Sequence, residues 1–240
     1  MKAYGSSHVG KVRQINEDNY YLPKLGETFA VVADGMGGHK AGEIASSMAV
    51  KEFTRWLRCA PRPTESTMNY AIHEANRAIY RTAQREPDKS NMGTTLVSLW
   101  LDDNRTLLCN VGDSRAYLFR QGCLKQMTRD HSLVAEMVRD GTLTAEEARV
   151  HPQRNMITRA VGTMSVVKAD IFTADRQDGD VWLLCSDGLS NLVRDEEMES
   201  VLRLSASGDE RIDTLIGLAL ARGGNDNITL VIVDCEEAGL

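Results

Sequence analysis

Two apolar runs of this chain end in the same dipeptide. Phe29-Ala30-Val31-Val32-Ala33 runs into Asp34-Gly35, and Val181-Trp182-Leu183-Leu184-Cys185-Ser186 runs into Asp187-Gly188. A third run, Leu107-Leu108-Cys109-Asn110-Val111, ends in Gly112-Asp113, and a fourth is preceded by Asp226-Asn227. Short apolar, β-branched runs bounded by turn residues read as buried strands. Strand ends lie along sheet edges, so the pattern favours folds that bring Asp34, Asp113, Asp187 and Asp226 to one edge. Converging carboxylates repel, and without compensation at least one would be neutralised. Hard divalent cations compensate them, and oxygen-rich sites select magnesium, manganese or calcium. The glycine after Asp34 and Asp187 lets the backbone turn and a carbonyl approach an ion. Taken singly, an Asp-Gly pair reads equally well as a surface turn.

Strands are expected over residues 28–33, 94–101, 106–111, 116–119, 180–186 and 228–234. Turn signals at Asp102-Asp103-Asn104 and Arg120-Gln121-Gly122 read as hairpin connections, and the close spacing of 94–101, 106–111 and 116–119 makes these three strands expected antiparallel neighbours. Helical spacing appears over 41–58, and more clearly at Met68, Ala71, Ile72, Ala75 and Ile79. Residues 60–64, with Pro61 and Pro63, read as the connection between these two helices. Residues 195–204 and 210–222 also read as helical. Helices mixed with antiparallel strands imply an α+β fold, a β-sandwich covered by helices. No repeat or linker interrupts the chain, which is expected to be one catalytic domain over residues 1–240.

The 240 residues carry 28 basic and 34 acidic side chains, a net charge of −6, with no basic run. That excludes sequence-independent nucleic-acid or anionic-membrane binding as a leading reading. The apolar stretches fall far short of a bilayer span, and residues 1–10 lack a signal-peptide core. Five cysteines without a CxxC pair argue against a disulfide framework or thiolate zinc site and fit a reducing cytoplasm.

Arg13 stands a few residues before Glu17-Asp18. A guanidinium fork suits phosphate and acidic neighbours suit a metal, although a solvated loop explains the same residues. Cys109-x5-Arg115 also fits the loose signature of cysteine-dependent phosphatases, but a strand-like segment follows where a helix is needed, and Asp113 would sit inside the phosphate cradle. His73 has no partner at metal spacing, His151 precedes Pro152 in an expected loop, and the ten methionines read as core filler.

Together these segments resemble the metal-dependent protein serine/threonine phosphatases of type 2C (the PPM family). The matching residues run in family order: Gly5, His8-Val9-Gly10, Arg13 to Asn19, Val32 to His39, Ala41-Gly42-Glu43 and Met92-Gly93-Thr94-Thr95. They continue through Asn110 to Ala116, Asp130-His131-Ser132, Thr158 to Gly162, Leu184 to Leu189 and Asp226 to Thr229. The resemblance implies two antiparallel sheets packed face to face, with helices on both outer faces, and a binuclear metal centre at one edge.

By position, Asp18, Asp34, Asp187 and Asp226 would ligate two Mn2+ or Mg2+ ions, joined by the Gly35 carbonyl. Glu17 would accept from metal-bound water, Asp113 with Asp187 would hold a third, weaker ion, and Arg13 would bind the substrate phosphate. The implied reaction is hydrolysis of phosphoserine and phosphothreonine proteins by a metal-bridged water, opposing a bacterial-type serine/threonine kinase. A cytoplasmic monomer is implied, with no nucleic-acid or membrane partner. Met36 occupies the position where animal members place a histidine, leaving His39 or a water on the third ion as candidate acids. Residues 139–156 resemble the variable flap beside the family's active site. A binding module that kept the fold and a metal-dependent phosphodiesterase are the competing readings.

Overall fold

The computed structural model describes residues 1–37 and 40–235. One sheet contains β1 (Lys2–His8), β7 (Arg115–Arg120), β8 (Cys123–Gln126), β10 (Val181–Cys185) and β11 (Ile228–Asp234), in the order β1-β11-β10-β7-β8. The other contains β2 (Asp18–Tyr21), β3 (Phe29–Met36), β5 (Leu96–Leu101), β6 (Arg105–Val111) and β9 (Asp170–Asp175), in the order β2-β3-β5-β6-β9, with the short β4 (Gly93–Thr94) pairing with β3. All these pairings are antiparallel.

The apolar runs are continuous because both faces of each sheet are covered. Along β3, Phe29, Val31 and Ala33 face the helices α1 (Ala41–Arg58) and α2 (Glu65–Arg85), while Ala30 and Val32 enter the layer between the sheets. Along β10, Trp182 and Leu184 enter that middle layer. Leu183 and Cys185 face the helices α5 (Asp187–Ser190), α6 (Asp195–Leu202) and α7 (Gly208–Ala221). Alternation at period two thus feeds three apolar layers, and the result is the expected four-layer α+β sandwich.

Side-chain caps set several helix starts. Thr64 accepts from the Thr67 N–H at 3.0 Å and begins α2. Ser207 and Glu210 form a capping box that begins α7. The hairpin from β7 to β8 turns through Gln121 and Gly122, both at positive φ, as a two-residue turn requires.

One expectation needs correction. Close spacing made β6 and β7 antiparallel neighbours, but they lie in different sheets. The chain crosses between the sheets through Gly112-Asp113-Ser114, with Gly112 at φ +105°. A Cβ at Gly112 would also crowd Thr95. The crossing carries Asp113 to the end of the sandwich where the other aspartates stand.

Candidate metal centre and active site

β2 and β3 pair so that Asp18 lies directly opposite Asp34. In the other sheet, β10 runs through Ser186 into Asp187 at the start of α5, and Asp226 immediately precedes β11. Ser186 joins the two sheets at this point. Its Oγ accepts from the Thr229 N–H at 3.0 Å and donates to Asp18 Oδ2 at 2.8 Å. Thr94 and Thr95 hold the Asp34 backbone: Thr94 Oγ1 donates to its carbonyl at 2.9 Å, and Thr95 Oγ1 accepts from its N–H at 2.9 Å.

Asn227 is a clamp that sequence reasoning missed. Its Oδ1 accepts from the Glu17 N–H at 2.8 Å, and its Nδ2 donates to the carbonyls of Val9 and Ile15 at 2.9 and 3.0 Å. One amide thereby ties the amino-terminal loop to the end of β11. Its only sequence signal was adjacency to Asp226. Gly35 meets a different constraint. A Cβ there would fall on the backbone oxygens of Gly42 and Glu17, so only glycine lets β3, α1 and the Glu17 loop close together.

Electrostatics separate this cluster from ordinary turn aspartates. Burial, first of all, raises the Asp18 carboxyl to about 7, against the hydrogen bonds that favour its charge. Burial and the nearby Asp226 raise Asp187 to about 6, while a hydrogen bond with Asp34 pulls the other way. Asp34 and Asp113 are held well above the usual carboxylate range by burial and then by neighbouring aspartates, and burial also raises Glu17. Glu17 Oε1 and Asp18 Oδ1 are buried without a hydrogen-bond partner among the described residues.

This all-oxygen donor set fits a hard divalent cation. Among the described residues, no group of three or more histidine, cysteine, aspartate or glutamate side chains closes on one point as a metal cage. An ion here would therefore draw also on backbone carbonyl and water, as magnesium and its relatives do.

Arg13, Glu17, Asp34, Gly35, Asp113, Asp187 and Asp226 line one cleft of about 210 Å3. Met36, Gly37, Thr95, Asn155 and Ile157 add to its wall; Asn155 falls in the expected flap segment 139–156, and Ile157 carried no sequence signal. Asp18 lies behind this lining. Arg13 pairs with Asp226 at 2.8 Å and stays half exposed. His39 lies outside the described residues.

The thiol alternative fails on geometry. Cys109 is fully buried in β6, within the layer facing α1 and α2, and burial pushes its thiol well up. Arg115 is engaged with Asp130 at 2.7 Å and with the Tyr117 hydroxyl at 3.0 Å. Cys109→Ser is expected to leave phosphatase turnover within about twofold, with any loss appearing as lower stability from the buried hydroxyl. Loss of turnover in a variant that still melts cooperatively would reinstate the thiol.

Buried carboxylates at one edge of a two-sheet sandwich suit a metal-assisted enzyme, and comparisons identify the family. Residues 4–216 match the family model described as protein phosphatase 2C. The serine/threonine phosphatase stp of Listeria welshimeri is 42% identical over 243 residues, covering 98% of this chain and 96% of that protein. The crystal structure of the Mycobacterium tuberculosis serine/threonine phosphatase PstP/Ppp superposes with a TM-score of 0.92 at 39% identity, covering 98% of this chain and 99% of that one. A structure of the PstP catalytic domain in complex with two manganese ions superposes with a TM-score of 0.89 at 37% identity, covering 98% of each chain. The chain belongs to the protein phosphatase 2C family. It is a metal-dependent serine/threonine phosphatase, and its substrates are phosphoproteins.

Proposed function

We propose that Asp18, Asp34, Asp187 and Asp226, with the Gly35 carbonyl, hold two divalent ions, manganese or magnesium, and that Asp113 with Asp187 takes a third more weakly. The observation that carries this reading is the burial of like charges with orphaned oxygens at the meeting of the two sheets. The manganese pair in the related PstP supports the count of two. When bound, such ions supply Lewis-acid charge and make water nucleophilic near neutral pH.

The protein's own groups do the rest. Arg13 leaves Asp226 and places its fork on the phosphoryl oxygens, orienting the ester and offsetting charge that builds there. Glu17, with one oxygen unpartnered, accepts from water in the cleft. Ser186, Thr94, Thr95 and Asn227 hold the acidic groups in place, so little reorganisation accompanies the reaction. Segment 139–156 acts as a flap over the neighbouring cavity.

The phosphoproteins are products of a bacterial-type serine/threonine kinase, and the chain works as a cytoplasmic monomer. Bacterial relatives support the first statement. The unpaired state of Cys59, Cys109, Cys123, Cys185 and Cys235 supports the compartment. No helix among the described residues is long and apolar enough to cross a membrane.

Hydrolysis of a phosphothreonine peptide with manganese, then with excess EDTA, tests the reading. Activity is expected to vanish with EDTA. Arg13→Ala is expected to lose about 10- to 100-fold in kcat/KM, the worth of a charge-assisted contact. EDTA-resistant turnover, or an unchanged Arg13→Ala, would contradict it.

A further inference from the structure

A second cavity, of about 640 Å3, adjoins the catalytic cleft. Asp113 and Asp187 line both, so they stand at the boundary between the two spaces. The walls of the larger cavity are α3 (Leu133–Arg139) and α4 (Ala145–Val150) of the flap, the start of α6 and the end of β8. A phosphate monoester alone fits the small cleft; the residues flanking it in a protein must run into a neighbouring space.

That space is lined by guanidinium groups without partners. Arg129, Arg149, Arg154 and Arg194 all line it, and among the described residues none makes a side-chain hydrogen bond or ion pair. Other arginines of the same wall are engaged: Arg115 with Asp130 at 2.7 Å, and Arg139 with the Asp130 carbonyl at 3.4 Å. Asp113, Glu146 and Glu196 are the lining carboxylates likewise left without a side-chain partner, so the four unpaired arginines outnumber them by one, and Asp113 faces the metal centre on the other side. Unpaired cations around a concave wall concentrate anions, and an arginine fork matches carboxylate and phosphate alike. Such charges have an obvious counterpart in a protein that must also bring a dianionic ester to a cluster of aspartates.

We propose that this arginine-lined cavity binds a second anionic side chain of the phosphoprotein substrate, a carboxylate or another phosphate next to the scissile phosphoester. The proposal rests on the phosphatase reading of the adjoining cleft and adds a substrate class to it.

Three phosphothreonine peptides, identical except for flanking alanine, glutamate or a non-hydrolysable phosphonate analogue of phosphoserine, test this with manganese present. Wild type is expected to favour the anionic peptides by about tenfold in kcat/KM, mainly through KM. A gain with both identifies carboxylate as sufficient, and a gain with the phosphonate alone identifies a phosphate pocket. The double variant Arg149→Ala, Arg154→Ala is expected to lose the preference while hydrolysing p-nitrophenyl phosphate and the alanine-flanked peptide at wild-type rates. Arg149→Lys with Arg154→Lys is expected to restore part of it. Equal kcat/KM for all three peptides in wild type, or an undiminished preference in the double alanine variant, overturns the proposal. Failure of wild type to hydrolyse p-nitrophenyl phosphate removes the phosphatase reading itself, and the proposal with it.

Discussion

Asp187→Asn is expected to lower kcat by about 10³-fold, the scale of losing a principal electrostatic element of a preorganised site. The same substitution is expected to raise the melting temperature of the metal-free protein. The two effects share one cause. Burial and the proximity of Asp226 lift the Asp187 carboxyl to about 6, so the folded state holds its proton more tightly than the unfolded chain does. Stability from this group is present at low pH and is lost as pH rises from about 4 through about 6. Above that window the wild-type protein carries a buried charge that asparagine does not. The gain in melting temperature from Asp187→Asn should therefore be larger at about pH 8 than at about pH 4. The Asn191 Nδ2 donor, 2.9 Å from Asp187 Oδ2, can still be met by the asparagine oxygen, so packing changes little. Saturating manganese should reverse the order at about pH 8, stabilising wild type above the variant by mass action. An equal manganese-induced shift in wild type and variant would show that Asp187 does not bind metal.

Gly35→Ala is expected to have the largest effect on the fold of the site. Its Cβ would meet two backbone oxygens, those of Gly42 and Glu17, and neither moves without displacing α1 or the loop that carries Asp18. Overpacking of about 1–3 kcal/mol, at about 2–4 °C per kcal/mol, lowers the melting temperature by roughly 2–12 °C. Activity should fall by at least about 10²-fold, because a misplacement of about 1 Å in a positioned group costs that much. Gly217→Ala is the matched control. It lies exposed on α7 with nothing near its Cβ position, so it should keep full activity and stabilise the helix by up to about 1 kcal/mol. Full activity in Gly35→Ala would show that the close approach of β3, α1 and the Glu17 loop is dispensable.

Much of this architecture was legible in the sequence, for identifiable reasons. The runs 29–33, 181–185 and 230–233 within β3, β10 and β11 are apolar at every position because two covered faces leave no polar side, which marks them plainly. α1 matches its expected bounds, whereas α7 begins at Gly208, before its expected start at 210, because the Ser207 cap sets it. β1 escaped notice because Gly5, Ser6 and Ser7 are small or polar, and its strand character comes from pairing with β11. β9 is an edge strand of alternating exposure with charged residues at both ends.

The aspartates that end apolar runs were visible by themselves. Asp18 needed the family resemblance, since its place depends on register opposite Asp34. Asn227 and Ile157 act through contacts formed only when distant segments meet, so no local pattern announces them. The β6 to β7 crossing was misread because hairpin spacing and a sheet-to-sheet crossing look alike until Gly112 is seen to turn the chain.

The central claim is that the buried aspartates at the junction of the sheets hold the metal. Calorimetric titration of metal-free protein with manganese, for wild type and Asp34→Asn, tests it most directly. The Asp34 backbone is held by Thr94 and Thr95, so the substitution alters the ligand and leaves its strand in place. Wild type should bind two ions per chain, with a third binding more weakly, and Asp34→Asn should lose at least one of the two. Identical isotherms for the two proteins, or no binding by wild type, would contradict the account.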